Sequence, residues 1–151
     1  MRAVIQRVTE ASVKIAGEVV GACGRGYLVL LGVGEGDTEA EVERLWQKIL
    51  KLRIFPDGTH HTGASLVDVD GEVLVISQFT LYADCRKGNR PSFTRAGDPE
   101  TSERLYELFV ERARRDMPHV ACGEFGADMS VSLVNDGPFT IILDSRELPG
   151  K

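Results

Sequence analysis

The sequence has few of the residues from which metal, disulfide and membrane sites are built. Its three cysteines are widely spaced and form no Cys-x-x-Cys pair, which argues against a disulfide framework or a zinc knuckle and fits a reducing cytoplasm. No apolar run approaches the roughly 18 residues of a membrane span, and the charged residues within 1–15 do not fit a signal peptide. We therefore expect a cytoplasmic protein without a membrane segment.

Positive charge is also scarce. With 18 Lys and Arg against 23 Asp and Glu, the formal net charge is −5 at pH 7, whereas proteins that hold long nucleic acids through many phosphates are usually basic. DNA is therefore not an expected partner. One segment has a local excess of positive charge: residues 86–95 (the basic loop) contain four basic residues and no acid. The basic loop is either a solvated surface loop or a short, local contact for RNA.

Two helices are predicted from their end signals. Thr38-x-x-Glu41 is a capping box, in which the hydroxyl and the carboxylate each bind a backbone N–H at a helix start. Apolar residues follow at helical spacing, so we predict a helix over about residues 38–52 with Trp46 in its buried stripe. Asp98-Pro99 begins the second helix, because Asp is a good N-cap residue and Pro suits the first helical position.

Strands account for most of the remaining chain. A turn at Gly17-Glu18 and another at Asp70-Gly71 predict two hairpins, the second between residues 66–69 and 72–79. Further β-like runs bring the predicted total to about eight or nine strands: 26–33, 53–55, 120–122, 129–134 and 139–143. The sequence thus predicts one α+β domain, residues 1–151, with mostly antiparallel strands and two helices outside.

No side-chain catalytic centre is evident. Three side chains are possible nucleophiles, but none lies in a Gly-x-Ser-x-Gly elbow or a Cys/His signature: Ser77, Thr80 and Cys85. The adjacent His60 and His61 lack a third ligand at metal-binding spacing, so no metal site is predicted. There is no nucleotide-binding glycine motif, and no cofactor is expected. If the protein is an enzyme, its catalysts are main-chain dipoles and the substrate itself.

Two short motifs each close a predicted strand. Ser77-Gln78-Phe79-Thr80 follows a core strand, where groups are rigid and exposed. In Asn135-Asp136-Gly137-Pro138, Gly137 has wide backbone freedom while Pro138 has a fixed φ and no N–H, so the pair forms a rigid corner. Each motif alone is compatible with a plain turn, since only about 5–6% of X-Pro bonds are cis.

Together the motifs resemble those of the D-aminoacyl-tRNA deacylases (D-tyrosyl-tRNA(Tyr) deacylases), and the likeness covers nearly the whole chain. Three further segments support it: Gln6-Arg7-Val8, residues 87–93 and Phe125-Gly126-Ala127-x-Met129. The chain departs from the family pattern at Phe139, where a smaller Val is expected. The resemblance implies a barrel-like β core and an enzyme of chiral proofreading, which hydrolyses the ester bond of D-aminoacyl-tRNA to free D-amino acid and tRNA.

The resemblance also implies how the site is built. It implies a homodimer with two sites at the subunit interface, each receiving the cis Gly137-Pro138 corner of the other subunit, with Arg7 holding the corner. Ser77 to Thr80 would line the ester-cleaving site, with main-chain N–H groups as an oxyanion hole and a ribose hydroxyl of the tRNA helping to activate water. The main chain near Met129 would help to seat the terminal adenosine, and Asn135 is a further supporting residue.

Chirality is read by exclusion on this hypothesis. If the Gly137 and Pro138 carbonyls occupy the space that an L side chain needs, L-substrates clash and D-substrates fit. Glycine has no side chain to exclude, so glycyl-tRNA, notably glycine mischarged on alanine tRNA, is expected to be cleaved. Three alternatives stay open: an esterase with Ser77 or Thr80 as nucleophile, a non-catalytic RNA-binding module that uses the basic loop, and a structural dimer whose motifs are turns.

Overall fold

The computed structural model describes residues 1–150, so Lys151, the last residue of the predicted domain, lies outside the described residues. Within them, six strands and two α-helices follow in the order β1 (Arg2–Ile15), β2 (Glu18–Cys23), β3 (Gly26–Gly32), α1 (Glu39–Lys51), β4 (Glu72–Ser77), α2 (Pro99–Asp116), β5 (Val120–Cys122) and β6 (Ser130–Asp144). A short 3₁₀ helix at Phe79–Tyr82 follows β4. Neither α-helix is long and apolar enough to cross a membrane.

The long strand β1 organises the sheet. One of its edges pairs antiparallel with β3 over residues 2–8 and with β2 over residues 11–15, and its other edge pairs antiparallel with β6. β4 and β5 then extend the sheet from β3 in parallel. The sheet curls until β2 meets β5, where a Cβ placed on Gly21 would lie 2.8 Å from the Cys122 carbonyl oxygen. The predicted α+β class, with a barrel-like core and two outer helices, is confirmed.

The predicted hairpin at Asp70-Gly71 is wrong. β4 pairs in parallel with β3, and residues 66–70 form a helical turn that leads into it. Ser65 and Asp68 cap this turn, because the Ser65 N–H donates to the Asp68 carboxylate at 2.8 Å and the Asp68 N–H donates to the Ser65 hydroxyl at 3.4 Å. Asp70 does have a positive φ of 51°, but it ends a helical turn. The Ser-x-x-Asp spacing was the sequence signal that favours this helical turn over a hairpin.

The strand count is lower than predicted, since neighbouring runs join. The predicted strands 129–134 and 139–143 merge into one strand, β6, which begins at Ser130, and the predicted strand at 53–55 is only a bridge between Phe55 and Ala64. β3 and β4 are covered on both faces, which explains their unbroken apolar sequences. One face packs under the helices and the other fills the barrel, so the residues directly after β4 are attached to a rigid frame.

Both helices begin and pack as predicted. α1 has Thr38 as its N-cap with the complete capping box, and α2 has Asp98 as its N-cap and Pro99 at its first position. Trp46 is fully buried, packs edge-to-face on Phe109 with ring centroids 5.6 Å apart, and donates its Nε1–H to the Asp116 carboxylate at 2.7 Å. Trp46 is therefore a core residue and is not available to stack on a base.

We expect Thr38→Ala to lower the free energy of unfolding by about 1 kcal/mol, because the helix loses its capping hydroxyl. Burial of Glu41 opposes its ionisation, but hydrogen bonds from Thr38 outweigh this and lower the pKa of Glu41. A lowered carboxyl pKa stabilises the fold above the unfolded value of about 4.3 and ceases to do so as pH falls through the folded value. Urea titrations should therefore show a larger cost at pH 7 than at pH 3.

The matched control is Thr62→Ala, which removes an exposed loop threonine. An equal loss of stability in the two variants, or a Thr38→Ala cost that does not change with pH, would contradict the role of the capping box.

Candidate active site

A cavity of about 680 Å³ opens where β4 ends. Three segments line it: residues 76–79 at the end of β4, residues between Phe93 and Ser102 around the start of α2, and residues 125–131 around the start of β6. Cavities of this size hold small ligands, and one with mixed apolar and polar walls is the first candidate for a substrate site.

The cavity brings together most of the residues predicted around the ester. Ser77, Gln78, Phe79 and Met129 are all in its lining. Thr80 is not in the lining, and its hydroxyl accepts a hydrogen bond from the Gln78 side-chain amide. Thr80 is therefore placed to orient Gln78.

Hydrogen bonds already made by the main chain after β4 limit which N–H groups can act as oxyanion donors. The Gln78 N–H donates to the Leu31 carbonyl at 2.8 Å, which ties the segment to β3 and removes this donor. The next two N–H groups, of Phe79 and Thr80, donate to no backbone carbonyl within residues 1–150. They stand at the start of the 3₁₀ helix, where N–H groups lack helical partners. Two adjacent donors are thus available to an oxyanion.

Two phenylalanines form the mouth of the cavity. Phe79 is 55% exposed and meets Phe93 edge-to-face, with ring centroids 5.1 Å apart. From the sequence, Phe93 was considered only as part of a possible RNA-binding loop, and Ala96 and Gly97, which line the cavity beside it, were assigned no role. The length of the irregular segment before α2 was the available signal, since long loops inside compact domains are usually functional.

The Gly137-Pro138 corner is a bulge within β6. Val8 pairs with Asn135 and Gln6 pairs with Thr140, so residues 136–139 (the β6 bulge) stand opposite Arg7 alone. The Gly137-Pro138 peptide bond is cis. Both residues are exposed, and a Cβ built on Gly137 would have only the Asn135 Oδ1 within 4 Å, at 3.5 Å.

Arg7 and Asn135 hold the β6 bulge from both ends. The Arg7 Nε donates to the Asp136 carbonyl at 3.3 Å and lies 3.0 Å from the Asp136 carboxylate, while Nη1 binds the Ile54 carbonyl. The Arg7 guanidinium also lies 4.1 Å from the centre of the Phe139 ring, a favourable cation–π contact. The Asn135 side-chain amide donates to the Arg7 carbonyl at 3.0 Å and to the Phe139 carbonyl at 3.2 Å.

Within one chain the corner and the cavity are separate. Neither Gly137 nor Pro138 lines the cavity. In the sheet, β1 and β3 lie between β6 and β4, which amounts to three strand spacings of about 4.8 Å each. The predicted encounter between the corner and Ser77–Thr80 therefore does not occur inside a single chain.

The His60-His61 loop is held together without a metal. Backbone N–H groups of His60 and Thr59, together with the Thr59 hydroxyl, bind the Asp57 carboxylate and lower its pKa to about 2. Within residues 1–150, no group of three or more His, Cys, Asp or Glu side chains is placed to hold a metal ion.

Comparison with known proteins gives concordant matches over nearly the full chain. A family model described as D-Tyr-tRNA(Tyr) deacylase matches residues 4–144. The D-aminoacyl-tRNA deacylase of Roseiflexus castenholzii is 58% identical over 145 residues, which cover 96% of this chain and 92% of that protein. The D-aminoacyl-tRNA deacylase of Thermosipho melanesiensis is 51% identical over 149 residues, which cover 98% of this chain and 99% of that protein.

Two solved structures share the fold. One, described as c-Myc DNA Unwinding Element Binding Protein, has a TM-score of 0.90 at 45% identity and is matched over 95% of this chain and 98% of its own. The other, a probable eukaryotic D-amino acid tRNA deacylase, has a TM-score of 0.83 over 94% of this chain and 97% of its own. Its 18% identity limits that likeness to the fold.

Proposed function

The chain belongs to the D-Tyr-tRNA(Tyr) deacylase family, and from that premise we propose that it hydrolyses the ester bond of D-aminoacyl-tRNA, releasing the D-amino acid and tRNA. The observation that carries the proposal is the cavity after β4, which is lined by Ser77, Gln78 and Phe79. The main-chain N–H groups of Phe79 and of Thr80, the residue that follows it, donate to no backbone carbonyl within residues 1–150. An aminoacyl ester is already activated. A positioned water and fixed dipoles therefore suffice, since one oxyanion donor is worth about 3–4 kcal/mol.

The proposed reaction needs no protein nucleophile. Water attacks the ester carbonyl carbon, and the Phe79 and Thr80 N–H groups stabilise the negative charge that develops on the carbonyl oxygen. The bond to the ribose oxygen of the terminal adenosine then breaks, and that oxygen leaves with a proton. The neighbouring ribose hydroxyl orients the water, while the wall that includes Met129 seats the adenosine. The histidines and the Cys85 thiol take no part in the proposed reaction.

We propose that the site is completed in a homodimer, in which the β6 bulge of one subunit enters the cavity of the other. The bulge is held firmly by Arg7 and Asn135, yet Gly137 and Pro138 are exposed and do not line the cavity after β4 of their own chain. Residues fixed in position but without a local role are suited to act on a partner. Their carbonyls would exclude an L side chain and accept a D side chain or glycine.

The deciding experiment is incubation of the protein with D-tyrosyl-tRNA and L-tyrosyl-tRNA in parallel, with glycyl-tRNA(Ala) as a third substrate. We expect the D-ester and the glycyl ester to be cleaved and the L-ester to survive. Equal cleavage of the D- and L-esters would refute chiral selection. A fully resistant glycyl-tRNA would refute exclusion by the corner alone.

A nucleophilic esterase is the main alternative, and two hydroxyl deletions separate it from main-chain catalysis. We expect Ser77→Ala and Thr80→Ala each to retain kcat within about tenfold of the parent, because neither hydroxyl forms a covalent bond to the substrate and both variants keep the main-chain N–H groups that stabilise the oxyanion. Rapid-quench kinetics on D-tyrosyl-tRNA measures this. Total loss in either variant, with an acyl-enzyme trapped in the parent and detected by mass spectrometry, would favour the esterase.

Duplex DNA is a second candidate partner, because one structural relative is described as a DNA unwinding element binding protein. Binding of duplex DNA depends on neutralising many phosphates. The net charge of −5 and the confinement of excess positive charge to the basic loop favour the short 3′ end of tRNA instead.

A further inference from the structure

The basic loop is anchored at the mouth of the cavity. Asp84 and Ser92 exchange two backbone hydrogen bonds, of 2.7 and 3.0 Å, which close the chain between them into a loop. The next residue, Phe93, lines the cavity and contacts Phe79. The position of the basic loop is therefore fixed relative to the cavity, because Phe93 belongs to both.

Not all of the positive charges in the basic loop are free to bind a ligand. Arg86 is committed to Asp84, with its Nη2 2.6 Å and its Nε 2.9 Å from the two carboxylate oxygens. Lys87, Arg90 and Arg95 are exposed, and within residues 1–150 none of them lies within 4.0 Å of a carboxylate. Of these three free cations, Lys87 and Arg90 lie in the part of the chain that the Asp84–Ser92 hydrogen bonds close into a loop.

Two carboxylates lie at other parts of the cavity. Asp128 is in its lining, and Asp98 directly precedes Pro99, which is also in the lining. A polyanion that enters the cavity is therefore attracted by the basic loop and repelled by these two carboxylates.

We propose that Lys87 and Arg90 hold the phosphates of the single-stranded 3′ end of tRNA, immediately before the terminal adenosine, so that the RNA strand leaves the cavity across the basic loop. The inference rests on the proposed function and extends it. Phosphate contacts position a nucleic acid without reading its sequence. The loop therefore serves every tRNA equally, and two local contacts are compatible with an acidic protein.

The test compares two substrates with the same ester. D-tyrosyl-tRNA carries the phosphates, and 3′-O-D-tyrosyl-adenosine lacks them. For Lys87→Ala combined with Arg90→Ala, we expect KM for the tRNA to rise about 25-fold at low salt, with kcat unchanged. The salt dependence of log kcat/KM should become shallower by about 1.4, since each single-strand phosphate contact contributes about 0.7. The adenosine ester should be cleaved at the parental rate.

The matched control is Lys14→Ala, which removes an exposed positive charge from the far end of β1 and should leave both substrates unaffected. Parental KM and salt dependence in the double variant would overturn the inference alone. Equal losses on the two substrates would overturn it as well, because the loop would then act on the cavity and not on phosphates. A parent that cleaves neither substrate would refute the proposed function itself.

Discussion

Gly137→Ala is expected to lower kcat/KM for D-tyrosyl-tRNA by about 100-fold, the usual result of a displacement of about 1 Å at a reacting centre. The added methyl group finds room in its own chain, where the nearest atom is the Asn135 Oδ1 at 3.5 Å. The free energy of unfolding should therefore stay at the parental value. In the proposed dimer, however, the methyl group lies between the corner carbonyls and the substrate. Steady-state kinetics and thermal unfolding measure the two effects.

Gly150→Ala is the control, since a Cβ at that position meets no atom within 4 Å and the residue lies beyond the end of β6. Parental activity in Gly137→Ala would show that the corner is an ordinary surface feature. A loss of activity that accompanied a loss of stability would assign the effect to folding.

Mixed dimers distinguish a corner that acts on its own chain from one that acts on the partner. Gly137→Ala has an intact cavity, and Ala127→Trp has an intact corner but a cavity filled from its wall. A heterodimer of the two variants should regain about half of the parental turnover, because one of its two sites combines an intact cavity with an intact corner. No recovery in a purified heterodimer would contradict action across the interface.

Arg7→Lys is expected to lower kcat/KM by about 100-fold and the free energy of unfolding by about 1–2 kcal/mol. Lysine keeps the charge but lacks the planar fork that binds Asp136 and the Ile54 carbonyl together and stacks on Phe139. The estimated stability loss is below that of a fully buried pair, because the Asp136 side chain is 40% exposed. Denaturant titration and kinetics on D-tyrosyl-tRNA provide the two readouts.

Arg44→Lys is the matched control, because Arg44 also donates to a carbonyl, that of Ser145 at 3.2 Å, in a partly buried position remote from the bulge. We expect it to lose stability slightly and activity not at all. If Arg7→Lys behaved like Arg44→Lys, Arg7 would be a structural residue without influence on the corner.

Features determined by neighbouring residues were predictable from the sequence. The capping box at Thr38 and the Asp98-Pro99 helix start depend on groups within one helical turn, and both were placed correctly. The hairpin predicted at Asp70-Gly71 was wrong because the pairing of its strand is determined by residues that are distant in the sequence. Its local preference for positive φ was met at Asp70, but the pairing of β4 depends on β3, more than 40 residues earlier in the chain. Parallel pairing leaves no signal in a turn, so only the tertiary structure shows it.

In the candidate site, too, some features were predictable from local motifs and others depend on the tertiary structure. The motifs pointed to Ser77, Gln78, Phe79 and Met129, and the structure places all four around one cavity. The sequence could not show that the Gln78 N–H is already bound to Leu31, because that bond depends on how β3 and β4 align. It also gave no indication that Phe139, the residue that departs from the family pattern, would lie against the Arg7 guanidinium.

The β6 bulge has a second consequence. β6 pairs only with β1 among residues 1–150, so the outer edge of this 15-residue strand is bare in a single chain, with Ile142 73% exposed and Val134 50% exposed. Long, flat, apolar edges recruit other strands and promote aggregation. The β6 bulge interrupts that edge near its middle and leaves two shorter stretches, each a poorer template for strand addition. Solubility would therefore constrain the bulge independently of catalysis.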